Sequence, residues 1–257
     1  VQHQSGVVKE AKCDENWLPD IESLEAAISP RTRAVIINSP NNPTGVIYPE
    51  SSIVAIATAL QRAEEKYGTE IYMISDEPYR KLIYTDAPYP FIFNHHARSV
   101  VATSHSKDLG LAGERIGYAA VNPNDPGKND LMDALNFSLR TLGFVNAPAL
   151  MQRAVASIQR ATVDIDIYRK KRDLLYGALT DIGYECVRPD GAFYLFPKSP
   201  IPDETEFVAQ LQKELVLVVP GVGFGTSGFF RASYCVEDWV IEGSIEGFRK
   251  VFAKANN

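Results

Sequence analysis

The sequence is poor in cysteine, with only Cys13, Cys186 and Cys235 in 257 residues. Three cysteines so widely spaced build neither a disulfide framework nor a zinc site, and a reducing setting, the cytoplasm, is expected. No apolar run approaches the roughly 20 residues of a membrane-spanning helix. The N-terminus has no basic segment leading into an apolar stretch, so no export signal is expected. Positive charge is not in excess either. Lys and Arg number 26 against 32 Asp and Glu, a formal net charge of −6, which argues against a general affinity for nucleic-acid phosphates or an anionic lipid surface. No internal repeat or low-complexity tract is visible. What remains, 45% hydrophobic and 23% charged residues, is a globular composition with ample material for a core. The length allows one large domain, or a larger and a smaller one. Residue 1 is Val, and Val1 to Cys13 reads as the middle of a fold, so the chain is expected to be truncated at its N-terminus.

The first half alternates apolar runs with amphipathic segments, the pattern of strands joined through helices into a mostly parallel sheet. Ala34 to Asn38, Ile71 to Ser75 and Ser99 to Thr103 are short apolar runs suited to strands buried on both faces. Between the first two, Ile53, Ile56, Ala57, Leu60 and Ala63 recur at helical spacing and predict a crossover helix over Ser51 to Tyr67. A further strand is predicted over Arg115 to Val121. From Lys128 to about Asp181 the pattern is helical. Beyond it, strands are predicted at Tyr184 to Val187, Ala192 to Phe196, Val216 to Val219 and Phe230 to Tyr234. Helices are predicted at Glu204 to Glu214 and Val236 to Ala255. The domain boundary is expected near residue 150, giving domains 1–150 and 151–257.

In open α/β sheets ligands sit outside the carboxyl ends of the strands, so the residues following each apolar run carry the chemical information. After Ala34 to Asn38 come Ser39 to Gly45 (SPNNPTG). After Ile71 to Ser75 come Asp76 to Tyr79 (DEPY). After Ser99 to Thr103 come Ser104 to Lys107 (SHSK), with Arg115 eight residues beyond Lys107. Arg231 lies near the start of a late strand. Singly, each has a bland explanation: turn chemistry for Asn42 to Gly45, a cap for Asp76, solvated surface for Lys107, Arg115 and Arg231. Together, a carboxylate, a phenol, a lysine, two serines and an arginine match the needs of pyridoxal phosphate. That cofactor requires an amine for a Schiff base, an acid for its ring nitrogen, and cationic or hydroxyl groups for its phosphate.

On these motifs the chain resembles a class I/II aminotransferase of the pyridoxal-phosphate fold type I superfamily, along essentially its whole length. The resemblance implies an α/β fold: a three-layer, mostly parallel large domain that binds the cofactor, then a smaller α+β C-terminal domain. It implies that Lys107 is the Schiff-base lysine, which also shuttles the proton at the substrate's α carbon, and that a buried Asp76 pairs with the pyridine nitrogen. Tyr79 and Asn42 match the groups on the cofactor's O3′. Ser104, Ser106 and Arg115 match the phosphate contacts, the guanidinium offering a planar fork. Arg231 matches the arginine that receives the substrate's α-carboxylate, with Asn42 beside the substrate. His3, His95, His96 and His105 are read as structural, and so are Tyr194, Phe224 and the glycines of Pro220 to Gly225.

The style of SHSKDLGLAGERIGY and FGTSGFFRASYC resembles bacterial aspartate or aromatic aminotransferases. The implied reaction moves an amino group between an L-amino acid and a 2-oxo acid by a ping-pong cycle, with a homodimer as the intact assembly. The family's Gly-rich phosphate loop and ring-stacking aromatic are not found here, so these 257 residues alone are expected to bind cofactor weakly and turn over little. Two alternatives share the scaffold: a pyridoxal-phosphate lyase of the β-elimination type, and an aminotransferase-like sensor domain of a transcription regulator.

Overall fold

The computed structural model of the chain describes residues 5–143 and 145–255; His3 lies outside the described residues. The fold is α/β, with one four-stranded and one three-stranded sheet. Contacts divide the chain into two compact units. The first takes the described residues of Val1–Ser39, Tyr48–Pro78 and Ala87–Ala161, and the second takes those of Pro40–Ile47, Tyr79–Asp86 and Thr162–Asn257.

In the first unit, α1 (Ile21–Ala27) starts at Asp20, whose carboxylate accepts the Ser23 N–H at 3.1 Å. Strands β1 (Ala34–Asn38), β2 (Tyr72–Asp76), β3 (Ser99–Ser104) and β4 (Gly117–Val121) lie in that order across one sheet; the first three are parallel and β4 is antiparallel. Helix α2 (Glu50–Tyr67) supplies the crossover from β1 to β2. Its buried stripe of Ile53, Ile56, Ala57, Leu60 and Ala63 packs with Leu24, Ile71, Met73 and Val101. The helix stops at Gly68, whose φ of 62° suits a residue without Cβ and lets its N–H cap the Glu64 carbonyl. The expectation that Ala34 to Asn38 is buried on both faces is corrected. β1 lies at the sheet edge with only Ile37 buried, and Ile36 is 58% exposed. A short helix α3 (His105–Asp108) follows β3 directly, and α4 (Lys128–Thr141) and α5 (Ala149–Ser157) close the unit.

The second unit is built on α6 (Ile165–Ile182), β5 (Tyr194–Leu195), α7 (Glu204–Lys213), β6 (Val219–Pro220), β7 (Phe230–Ser233) and α8 (Asp238–Ala255). β7 is the central strand, antiparallel to both neighbours. Leu175, Leu179, Tyr184, Phe207, Phe230, Phe248 and Val251 form its core, in which Tyr184 meets the rings of Phe207, Phe230, Phe248 and Phe252. The segments 40–47 and 79–86 belong here because of their backbone bonds: Asp190 and Gly191 donate to the Gly45 carbonyl, Ala192 to that of Leu82, and Tyr84 to that of Asp190. Gly45 permits this closeness. Its φ is +70°, and a Cβ there would meet the Gly191 carbonyl at 2.9 Å. Tyr184 to Val187, expected as a strand, is not one. The Lys198 N–H donates to the Glu185 carbonyl, but no ladder forms along the segment. The strand expected at 192–196 shortens to the two-residue β5, and the one expected at 216–219 is displaced to the two-residue β6, which shares only Val219 with it.

Candidate active site

The eight candidate residues fall into two sets, one on each unit. Asp76, Ser104, Ser106, Lys107 and Arg115 lie on the first; Asn42, Tyr79 and Arg231 lie on the second.

In the first unit, β2 and β3 are parallel neighbours, so their last residues share one edge of the sheet. β2 ends at Asp76, and β3 ends at Ser104 and runs straight into the α3 turn with Ser106 and Lys107. Asp76 stands opposite Asn38 at the end of β1, and the Asn38 amide donates to its carbonyl at 2.9 Å and its carboxylate at 3.2 Å. The side chain is exposed rather than buried as expected. Even so, loss of water on the protein side pushes its carboxyl above the ordinary aspartate value. No cation among the described residues pairs with it.

Lys107 and both serines are half-buried. Neither the Ser104 nor the Ser106 hydroxyl has a hydrogen-bond partner among the described residues, and Ser104 does not cap α3 with its side chain. Arg115 adopts φ of 52°, in the left-handed region. Its only hydrogen bond among the described residues runs from Nη1 to the Ala112 carbonyl at 3.0 Å, and no carboxylate pairs with it.

Two features of this turn escaped the sequence reading. His105 and Asp108 are both buried and meet at 3.2 Å, Nδ1 to carboxylate, which ties together the two ends of the turn that carries Lys107. Their i, i+3 spacing was the available signal. Gly117 pairs with Ser104 across the sheet, and a Cβ on it would collide with the Thr103 carbonyl and come within 2.9 Å of Ser104 Cα. Only glycine permits this approach.

In the second unit, Arg231 sits on β7, half-buried, with Nη1 donating to the Asn42 side-chain carbonyl at 2.8 Å. Its Cζ lies over the ring of Tyr194 at 4.4 Å and of Phe224 at 4.6 Å. No carboxylate among the described residues pairs with it. Buried Tyr79 touches Tyr194, hydroxyl to hydroxyl, at 3.1 Å.

The donor set in the first unit fits pyridoxal phosphate. A carboxylate with raised pKa and no cation can take a protonated ring nitrogen, two unengaged hydroxyls and a guanidinium without an acid partner can take a dianionic phosphate, and a lysine stands in the same turn as the hydroxyls. Among the described residues no group of three or more acidic, histidine or cysteine side chains could hold a metal ion. No helix of the described residues is long and apolar enough to cross a membrane.

Comparison with known proteins bears on the same point. A family model described as aminotransferase class I and II matches residues 1–246. The aspartate/prephenate aminotransferase of Thermus thermophilus is 34% identical, over 99% of this chain and 66% of its own length. The aspartate aminotransferase of Bacillus subtilis is 33% identical, over 91% of this chain and 61% of its own length. Among solved structures, an aminotransferase from Eubacterium rectale superposes with a TM-score of 0.93 at 42% identity, covering 96% of this chain and 62% of that one. The chain thus spans 61% to 66% of the length of these relatives. With the family match covering all but its last eleven residues, and the fold shared with an aminotransferase of known structure, the chain belongs to the aminotransferase class I and II family.

Proposed function

We propose that the protein is a pyridoxal-phosphate-dependent transferase that moves an amino group between an L-amino acid of aspartate or aromatic type and a 2-oxo acid. The observation that carries this reading is the placement, at one sheet edge, of a carboxylate with no cation partner among the described residues and a lysine preceded by two hydroxyls that make no hydrogen bond among them. The names of the relatives, aspartate and aspartate/prephenate aminotransferases, support the substrate class. We assign the first unit to the cofactor-binding large domain and the second to the smaller domain.

Pyridoxal phosphate, when bound, supplies a protonated ring that accepts the electron pair released at the substrate's α carbon. In this reading Asp76 keeps the ring nitrogen protonated, a role for which a carboxyl with no competing cation is suited. Ser104, Ser106 and Arg115 hold the phosphate. Tyr79 and Asn42 hydrogen-bond the cofactor's O3′. Lys107 would hold the cofactor through its amine, and its Nζ would be the group that carries the α proton. Arg231 receives the α-carboxylate. The first substrate leaves as its 2-oxo acid before the acceptor enters, the ping-pong order. A homodimer fits the apolar surface left on α4 and α5, where Phe137 is 69% and Leu150 78% exposed. Three cysteines not bonded to one another fit a cytoplasmic setting.

A single-turnover experiment tests the reaction. Cofactor-loaded protein is mixed with L-aspartate or L-phenylalanine, and the products are identified by mass spectrometry. Oxaloacetate or phenylpyruvate, stoichiometric with cofactor and without ammonia, is the expected result. Offered L-cystathionine, whose β carbon bears a thioether leaving group, an eliminating lyase would instead release homocysteine, pyruvate and ammonia with no acceptor, and that result with no oxo acid from aspartate or phenylalanine would overturn the transferase reading.

A further inference from the structure

We infer that Tyr194, Phe224 and Glu204 are positioning residues for Arg231: the two rings seat the guanidinium, and Glu204 latches the turn that carries Phe224. The inference rests on the proposal above that Arg231 receives a carboxylate, and it names what makes that arginine ready.

An arginine side chain is rich in rotamers, and an unrestrained one loses much of that freedom on gripping a ligand. Arg231 is restrained beforehand. Its Cζ lies 4.4 Å from the Tyr194 ring centroid and 4.6 Å from that of Phe224, and its Nη1 is bound to Asn42 at 2.8 Å. These contacts engage the guanidinium carbon and, by hydrogen bond, one nitrogen. Nε and Nη2 make no hydrogen bond among the described residues, so donors for a two-oxygen grip remain. A cation set against aromatic rings, half-buried and without an acid partner among the described residues, is available to an incoming anion.

The seat is itself held. Tyr194 is buried, paired with Ser233 across β5 and β7, and its hydroxyl meets that of Tyr79 at 3.1 Å. Phe224 lies on a turn rich in glycine, 221–225, where a fixed ring needs an anchor. Glu204, buried at the start of α7, provides it: one carboxylate oxygen accepts the Val222 N–H at 3.2 Å and the other the Gly228 N–H at 3.0 Å. Those bonds grip the turn on both sides of Phe224. The Phe224 ring then rests edge-on against Phe196, centroids 6.1 Å apart. The chain of dependence runs from Glu204 through the turn to Phe224 and so to Arg231, all within one unit.

The test uses the chain labelled with 15N-arginine, with pyridoxal phosphate present and maleate as the carboxylate probe. Arg231→Lys identifies the Arg231 Nε–Hε signal, which is then followed through a maleate titration in the parent and in Phe224→Leu, Tyr194→Leu, Tyr194→Phe and Glu204→Gln. Ordering one rotamer-rich side chain is worth about 0.5–1.5 kcal/mol, so Phe224→Leu and Tyr194→Leu are expected to bind maleate roughly two- to thirteenfold more weakly. Tyr194→Phe, which keeps the ring, restores binding. Glu204→Gln shifts the Arg231 signal in the same sense as Phe224→Leu. Each comparison is made below the unfolding range of every variant, so that a loss of stability alone leaves the signal where it is. If the parent signal responds to maleate and every variant titrates as the parent does, the positioning inference is overturned and the carboxylate role of Arg231 stands. If the parent signal ignores maleate, the carboxylate role fails and the inference fails with it.

Discussion

Gly117→Ala is the sharpest perturbation of the lysine turn that leaves every candidate side chain in place. The added Cβ meets the Thr103 carbonyl, with Ser104 Cα at 2.9 Å and Ser104 Cβ at 3.2 Å. Two of these neighbours are backbone, so no rotamer change relieves the collision. The start of β4 must lift from the end of β3, where Ser104 pairs with Gly117 and the His105 N–H donates to the Ile116 carbonyl at 3.0 Å. Overpacking of this kind costs about 1–3 kcal/mol. Replacing glycine also restrains the unfolded chain, which returns about 0.4–1 kcal/mol. The net loss is therefore about 1.5 kcal/mol, close to tenfold in the local opening constant. Hydrogen exchange at the His105 amide reads it directly, with roughly tenfold faster exchange expected. Pyridoxal-phosphate affinity should fall in parallel, since Ser104, Ser106 and Lys107 follow from that point. Gly113→Ala is the control, because nothing lies within 4 Å of a Cβ there. If both variants exchange at the parent rate and bind cofactor equally, the steric reasoning is wrong.

Three further outcomes are expected. Desolvation raises the Asp76 carboxyl, so the folded chain holds that proton more tightly than the unfolded one, and the stability it contributes is lost as pH rises through its folded value. Asp76→Asn, which keeps an oxygen for Asn38, should then raise the urea midpoint at neutral pH relative to the parent while weakening pyridoxal-phosphate binding; a lower midpoint would contradict this. The Glu204 carboxyl is lowered chiefly by the Gly228 N–H, and its contribution is present above the ordinary glutamate range and lost as pH falls through its folded value. Glu204→Gln should flatten that acid limb in thermal unfolding measured against pH. Asp108→Ala leaves buried His105 without its carboxylate, at a cost of about 1–3 kcal/mol by urea unfolding, and an unchanged midpoint would show that the pair is idle.

Much of the first unit was legible because strand and helix periods leave plain marks. AVIIN became β1 with the expected bounds, and α2 extended the expected helix by one residue. Burial on both faces was not legible for β1: an apolar run reads alike at the centre and at the edge of a sheet, and only the strand order places Ile36 at an edge. The small strands of the second unit were blurred for a related reason. β5 and β6 are two residues long, too short for alternation to show, and Tyr184 to Val187 has strand-like composition without a ladder partner. The polar clusters at strand ends stood out because they interrupt apolar runs. Asn38, Gly117 and Glu204 did not, because each acts through backbone proximity or register set by distant segments. Tyr194 and Phe224 looked like packing residues from sequence; what distinguishes them is the guanidinium that both carry, visible only once β5, β7 and the turn at 221–225 are brought together.

The central claim is that Lys107 is the residue that bonds pyridoxal phosphate. The direct measurement is to add the cofactor to the purified chain, reduce with borohydride, digest, and locate the modified peptide by mass spectrometry, with Lys107→Ala alongside. The account predicts a cofactor-derived mass on the peptide containing Lys107, absent from the variant and accompanied by a visible absorbance band before reduction. A label spread over other lysines, or one that survives Lys107→Ala unchanged, would contradict it.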